Sequence, residues 1–219
     1  MSLRVATPAT TDDQRDESLR GRLREYARDV PVHGELAADF GTFLEIVDAH
    51  GDVFARERLS GHFTASAWLV SRDNRRVLLT HHRKLGRWLQ LGGHADGDRD
   101  LARVALREAE EESGLQDLAL QDERIFDLDR HWIPERGDVP GHWHYDVRYV
   151  VRAMGSEQFE VSEESLDLAW RGITEIARDP DADASLRRMA RRWLGHVSQS
   201  VALPRCGDDQ RSSSTRPAE

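Results

Sequence analysis

The sequence predicts a mixed α/β sandwich, because segments that alternate in polarity flank one central helix and further helical segments lie outside them. Three observations carry this. HFTASAWLVS (62–71) and RVLLTHH (76–82) read as strands around an Asp73-Asn74 turn, so 62–82 reads as a hairpin. Residues 100–113 read as a helix with Leu101, Ala105 and Ala109 as its buried stripe, and Gly114 stands just past its last turn. Residues 143–153 read as a further strand after the central helix.

The remaining elements follow in chain order. Residues 1–14 are polar and Thr/Pro-rich, which predicts a flexible N-terminus. Leu19, Leu23 and Tyr26 recur at helical spacing within 15–30, as do Leu36, Phe40, Phe43, Leu44 and Val47 within 35–49, so 15–50 reads as a helical extension packed on a later core. After the central helix, 123–129 and 143–153 read as strands joined by the loop PERGDVPG, and 166–171 as a short strand. A last helix is expected over about 182–199. GDDQRSSSTRPAE (207–219) has almost nothing to bury, so 204–219 is expected to be a disordered tail and 15–203 a single domain.

Charge and composition exclude several function classes. The 219 residues carry 31 Lys+Arg against 40 Asp+Glu, a net charge of −9, which suits a nucleic-acid polymer poorly because a polyanion needs a basic face. A small phosphorylated ligand stays open, since a metal ion supplies positive charge locally. The single cysteine, Cys206, excludes an intramolecular disulfide and any multi-cysteine zinc site. No apolar run approaches the ~20 residues of a spanning helix, and the N-terminus lacks a signal-peptide core. The expectation is a cytoplasmic protein with no membrane partner.

The densest chemistry lies in Gly93–Leu115, where seven acids stand against three arginines. Glu108, Glu111 and Glu112 occupy i, i+3 and i+4, which places three carboxylates on one helix face. Like charges so crowded destabilise a helix unless a cation sits among them, and hard ions such as Mg²⁺ or Mn²⁺ prefer oxygen ligands. The preceding Gly92-Gly93-His94-Ala95-Asp96-Gly97 lets the backbone approach a ligand closely.

This stretch resembles the Nudix box, G-x5-E-x7-R-E-U-x-E-E-x-G-U with U aliphatic. Gly93, Arg107, Glu108, Ala109, Glu111, Glu112, Gly114 and Leu115 fall in register, and Arg99 replaces the first glutamate, flanked by Asp98 and Asp100. A looser likeness extends over about 62–175. The resemblance implies a Nudix-type α/β/α sandwich with a mixed sheet and hydrolysis of a P–O–P bond in a nucleoside diphosphate linked to another group, with Mg²⁺ or Mn²⁺. It assigns the metal to Glu108, Glu111, Glu112 and the Gly92 carbonyl. It gives Arg107 the task of pinning the glutamates and one glutamate the task of deprotonating water, and it points to Glu164 as a late metal ligand or base. Asp98 or Asp100 is expected to help through water. Arg83 and Arg87, with Lys84, are candidates for substrate phosphates, and Trp88, Trp132 and Trp143 for base stacking. The N-terminal helices are expected either to cover the site or to form a homodimer face. The competing reading is a Nudix-fold module that binds a nucleotide without turnover, which Arg99 favours.

The ten histidines include His62 at a strand start, His94 after the Gly-Gly pair and His142-x-His144 on a late strand. In His-x-His on a strand both rings point to one face, so His62, His94 and His144 are candidates for a second, His-rich metal site, and His142 for substrate contact. Isopentenyl-diphosphate isomerases are similar in these positions. They require a cysteine where this chain has Gly92, and its one thiol lies at the tail, so the residues favour hydrolysis.

Overall fold

The computed structural model describes residues 12–30, 35–83, 86–161 and 165–202. The expected flexible N-terminus therefore lies largely outside the described residues, as do the tail, Lys84 and Glu164.

The apolar stripe of α1 (Asp12–Asp29) buries Leu19, Leu23 and Tyr26, and that of α2 (Glu35–Val47) buries Phe43, Ile46 and Val47. Both stripes join Phe63, Ala65, Leu101, Val104, Val147 and Tyr149 in one core cluster, so the extension packs on the sheet and the central helix. Phe43 meets the edge of the Tyr145 ring at 5.4 Å.

Eight strands form one mixed sheet: β1 (His62–Val70), β2 (Arg76–His82), β3 (Arg87–Leu89), β4 (Leu91–His94), β5 (Leu118–Leu120), β6 (Asp127–Ile133), β7 (His142–Ala153) and β8 (Ser165–Gly172). The path runs β3-β2-β1-β7-β5, with β4 against β1, β6 against β7 and β8 against β2. β1 and β7 are parallel over the whole length of β1, pairing His62 with His144 and Val70 with Arg152. All nine residues of β1 are buried because both sheet faces are covered. On one face lie α1, α2 and α3 (Leu101–Ser113). On the other lie α4 (Ile173–Arg178) and α5 (Ala184–Ala202), whose Leu186, Met189, Ala190 and Trp193 pack against Trp68, Val70 and Val77.

Four expectations need correction. The 62–82 hairpin pairs only at its turn, Val70 with Val77, after which β4 and β8 take over the flanks of β1 and β2. The strand expected at 123–129 sits at Asp127–Ile133, because pairing with β7 sets its register. The glycine-rich loop contains a strand, β4, and two further short strands, β3 and β5, carry too little pattern to be read. Finally, α4 precedes the last helix.

Candidate active site and histidine cluster

The ends of α3 are set by its sequence. The Asp100 side chain caps the N-terminus by accepting the Arg103 N–H at 3.2 Å. Gly114, at φ +66°, ends the helix in the left-handed conformation while its N–H donates to the Glu110 carbonyl. With Leu101, Ala102, Val104, Ala105 and Ala109 buried, the opposite face presents Arg107, Glu108, Glu111 and Glu112.

This face is pressed against β4. The Gly92 N–H donates to Glu112 Oε1 at 2.9 Å. A Cβ on Gly93 would stand 2.3 Å from Glu108 Oε2, so only glycine admits the carboxylate. Arg107 donates to Glu108 Oε1 at 2.8 Å and to the His94 carbonyl at 3.2 Å, and stands 4.0 Å from Glu111. Burial pushes the Glu108 carboxyl above its usual range, against the opposing pull of Arg107. Glu111 is largely exposed (65 %). The three carboxylates thus share a helix face but have different partners. An all-oxygen donor set of this kind fits a hard divalent cation.

Asp98 accepts from Arg103 at 2.5 Å, and Asp100 is the helix cap. Arg99 lies over the Phe54 ring at 5.0 Å and 3.9 Å from Asp52. Arg87 pairs with Asp183 at 3.4 Å, and Arg83 stands exposed after β2. Trp88 stacks on His81 at 5.2 Å, while Trp132 meets Trp143 edge-on at 5.3 Å.

Beside the glutamates, four imidazoles converge. The His62 ring lies 5.2 Å from His94, 5.0 Å from His142 and 4.9 Å from His144, centroid to centroid. Parallel pairing of β1 with β7 puts His62 opposite His144, and β4 brings His94 to the same place. His142, expected to contact substrate, is buried in this cluster with its Nε2 3.1 Å from His144 Nε2. Burial, with Arg56 and the neighbouring rings adding to it, pushes His94 down to about 4 and lowers His62, and burial with the neighbouring rings lowers His144. Among the described residues, His62, His142 and His144 are the set whose ligand atoms all lie within 4.8 Å of one another.

Next along the same face is a buried ion network with no counterpart in the sequence reading. Asp146 accepts from Thr64 Oγ1 (3.1 Å), Ser66 Oγ (2.8 Å) and Arg148 Nε (2.7 Å). Arg148, only 3 % exposed, also reaches Asp127 and Asp129, each at 3.2 Å. Arg188 on α5 bonds the same two aspartates at 2.7 and 3.3 Å. The signal available was alternation: Thr64, Ser66, Asp146 and Arg148 are polar at every second position of two otherwise apolar strands.

An α/β/α sandwich with an arginine-clamped glutamate face on a Gly-Gly strand defines a class, and comparison with known proteins gives the family. Residues 61–193 match the family model of the NUDIX domain. The chain belongs to the Nudix hydrolase family. Among solved structures it is similar to a Nudix-family hydrolase from Clostridium perfringens, at 28 % identity over 62 % of this chain and 97 % of that one, with a TM-score of 0.47. It is similar to a MutT protein from Methanosarcina mazei Go1, at 17 % identity over 64 % and 97 %, with a TM-score of 0.50. It is also similar to the Nudix hydrolase RenU from M. smegmatis, at 20 % identity over 71 % and 99 %, with a TM-score of 0.48. No curated protein matches. Among the described residues, no helix is long and apolar enough to cross a membrane.

Proposed function

We propose that this chain is a Mg²⁺- or Mn²⁺-dependent pyrophosphohydrolase, cleaving a P–O–P bond in a nucleoside diphosphate linked to another group or a related diphosphate. The observation that carries this reading is the Arg107–Glu108 pair locked over Gly93, with Glu112 on the Gly92 N–H and the largely exposed Glu111 on the other side of Arg107. Glu108, Glu111, Glu112 and the Gly92 carbonyl would hold the cation. Such an ion, when bound, acidifies a water and neutralises charge on phosphate oxygens.

The chain's own groups do the rest. Arg107 fixes Glu108 by a charge-assisted hydrogen bond, so the carboxylate needs no reorganisation when the substrate arrives. A carboxylate of the trio accepts the proton of the attacking water. Water oxygen bonds to phosphorus, the bridging P–O bond breaks, and two phosphate products leave. Arg83 and Arg87 are the cations we assign to substrate phosphates, and Glu164 is a further candidate for ligand or base. We infer that residues 15–203 act as one domain on a small nucleotide-like substrate. The single cysteine fits the reducing cytoplasm as its place of work.

The test is a panel of nucleoside triphosphates, nucleotide sugars and dinucleoside polyphosphates with Mg²⁺ and Mn²⁺, reading phosphate products. Activity that vanishes in Glu112→Gln supports the reading, and unchanged activity in that variant overturns it. Arg99 in place of the first box glutamate favours a second reading, a module that binds without turnover. Tight nucleotide binding with no product under either metal would establish that reading instead.

A further inference from the structure

The histidine cluster has a feature that hydrolysis at the glutamates does not use. His62 is fully buried and its Nε2 meets no hydrogen-bond partner. Its Nδ1 lies 3.2 Å from the Arg58 carbonyl, an acceptor only, so the proton belongs on Nδ1 and Nε2 carries a bare lone pair. His142 repeats the arrangement, with Nδ1 2.9 Å from the Pro140 carbonyl and its Nε2 lone pair pointing at His144 Nε2. His144 Nε2 pairs with His142 Nε2, so the buried His62 lone pair aimed into the same small volume is the one left without a partner, which is costly. A backbone carbonyl on the far ring nitrogen is the outer support that orients metal-binding histidines.

We propose that His62, His142 and His144 form a second cation site, which binds one first-row transition metal of the zinc type through the imidazole nitrogens. A tetrahedral ion with M–N bonds of about 2.1 Å sets its ligand nitrogens about 3.4 Å apart. The His142–His144 separation of 3.1 Å is close to this, and the third nitrogen lies within 4.8 Å. His94, with its ring 5.0 Å from His144 and 5.2 Å from His62, stands beside the open position. The donor set is all nitrogen, which selects Zn²⁺, Co²⁺ or Ni²⁺ over the hard Mg²⁺ that suits the glutamates. Arg56, the cation whose charge reaches His62 and His94, is engaged by Asp96 in a two-point ion pair. The site spans β1 and β7, whose His62 and His144 are register partners, so the ion would fasten these strands at one end.

The experiment uses the full chain made without a histidine tag. The protein is stripped with chelator, then titrated with Zn²⁺ and with Co²⁺ in excess Mg²⁺, and bound metal is measured by elemental analysis after dialysis. One ion per chain is expected, with tetrahedral Co²⁺ absorption that Zn²⁺ abolishes. A His62→Asn, His144→Gln double variant should bind about 100-fold more weakly or not at all. Glu111→Gln, Glu112→Gln should keep the ion, which separates this site from the glutamates. Wild-type protein that retains no stoichiometric Zn²⁺ overturns the proposal and leaves a hydrogen-bonded cluster only. A double variant with wild-type metal content overturns it equally. If the double variant does not fold, the wild-type titration alone decides.

Discussion

Alanine at Gly93 would place a methyl carbon 2.3 Å from Glu108 Oε2 and 2.6 Å from its Cδ. The backbone there lies outside the left-handed region, so alanine meets no conformational strain and the whole effect is steric. The obstacle is the far end of a flexible side chain, which yields by leaving its position. We therefore expect a small stability cost, about 1 kcal/mol, or roughly 2–4 °C in Tm. The functional cost is larger. To restore ordinary contact the carboxylate must move by about 1 Å, which breaks its 2.8 Å bond to Arg107, and a misplacement of that size costs about 100-fold in rate. The assay is kcat and KM for release of phosphate products across a Mg²⁺ titration, with thermal unfolding alongside. Gly21→Ala on α1 is the control: nothing lies within 4 Å of its Cβ, and it should gain up to about 1 kcal/mol of stability at unchanged activity. A Gly93→Ala enzyme with wild-type kcat/KM and metal dependence would refute the claim that this glycine positions Glu108.

Other perturbations test the scaffold. Asp100→Ala removes the α3 cap and should cost about 1 kcal/mol in urea unfolding. Arg148→Met leaves Asp127, Asp129 and Asp146 without their buried partner and should destabilise by about 3–5 kcal/mol, a loss read by denaturant titration. Burial alone would raise Asp129, but Arg148, His131 and Arg188 outweigh it and hold the carboxyl well below its usual range. A depressed folded-state pKa means that the unfolded chain takes up the proton first as pH falls. The stability contributed by Asp129 is present above about pH 4 and drains away below it, and Asp129→Asn should flatten that acid limb of the unfolding profile.

Local signals were legible where they were complete. Asp100, the apolar stripe of Leu101, Ala105 and Ala109, and Gly114 together delimit α3. The glutamate row follows from helical spacing, and the role of Arg107 from the resemblance to the Nudix box. Leu91-Gly92-Gly93-His94 was not legible as a strand, because glycine carries no β signal and the strand exists through pairing with Thr64–Ala67. Ile125 and Phe126 drew the next strand four residues early, since both are buried although they precede it. His142-x-His144 announced rings on one face. The sequence holds nothing to say that His62, eighty-two residues upstream of His144, would face them, because that depends on a parallel register.

The parallel match of β1 with β7 also governs how the chain must assemble. A nine-residue strand that is wholly buried in the fold and made early waits for a neighbour that leaves the ribosome only after residue 142. Until then its long edge is an open template for any other extended chain, and closing so distant a contact is slow. Nascent or truncated forms ending before β7 should therefore be the aggregating species, and solubility during synthesis should improve abruptly once that strand is complete.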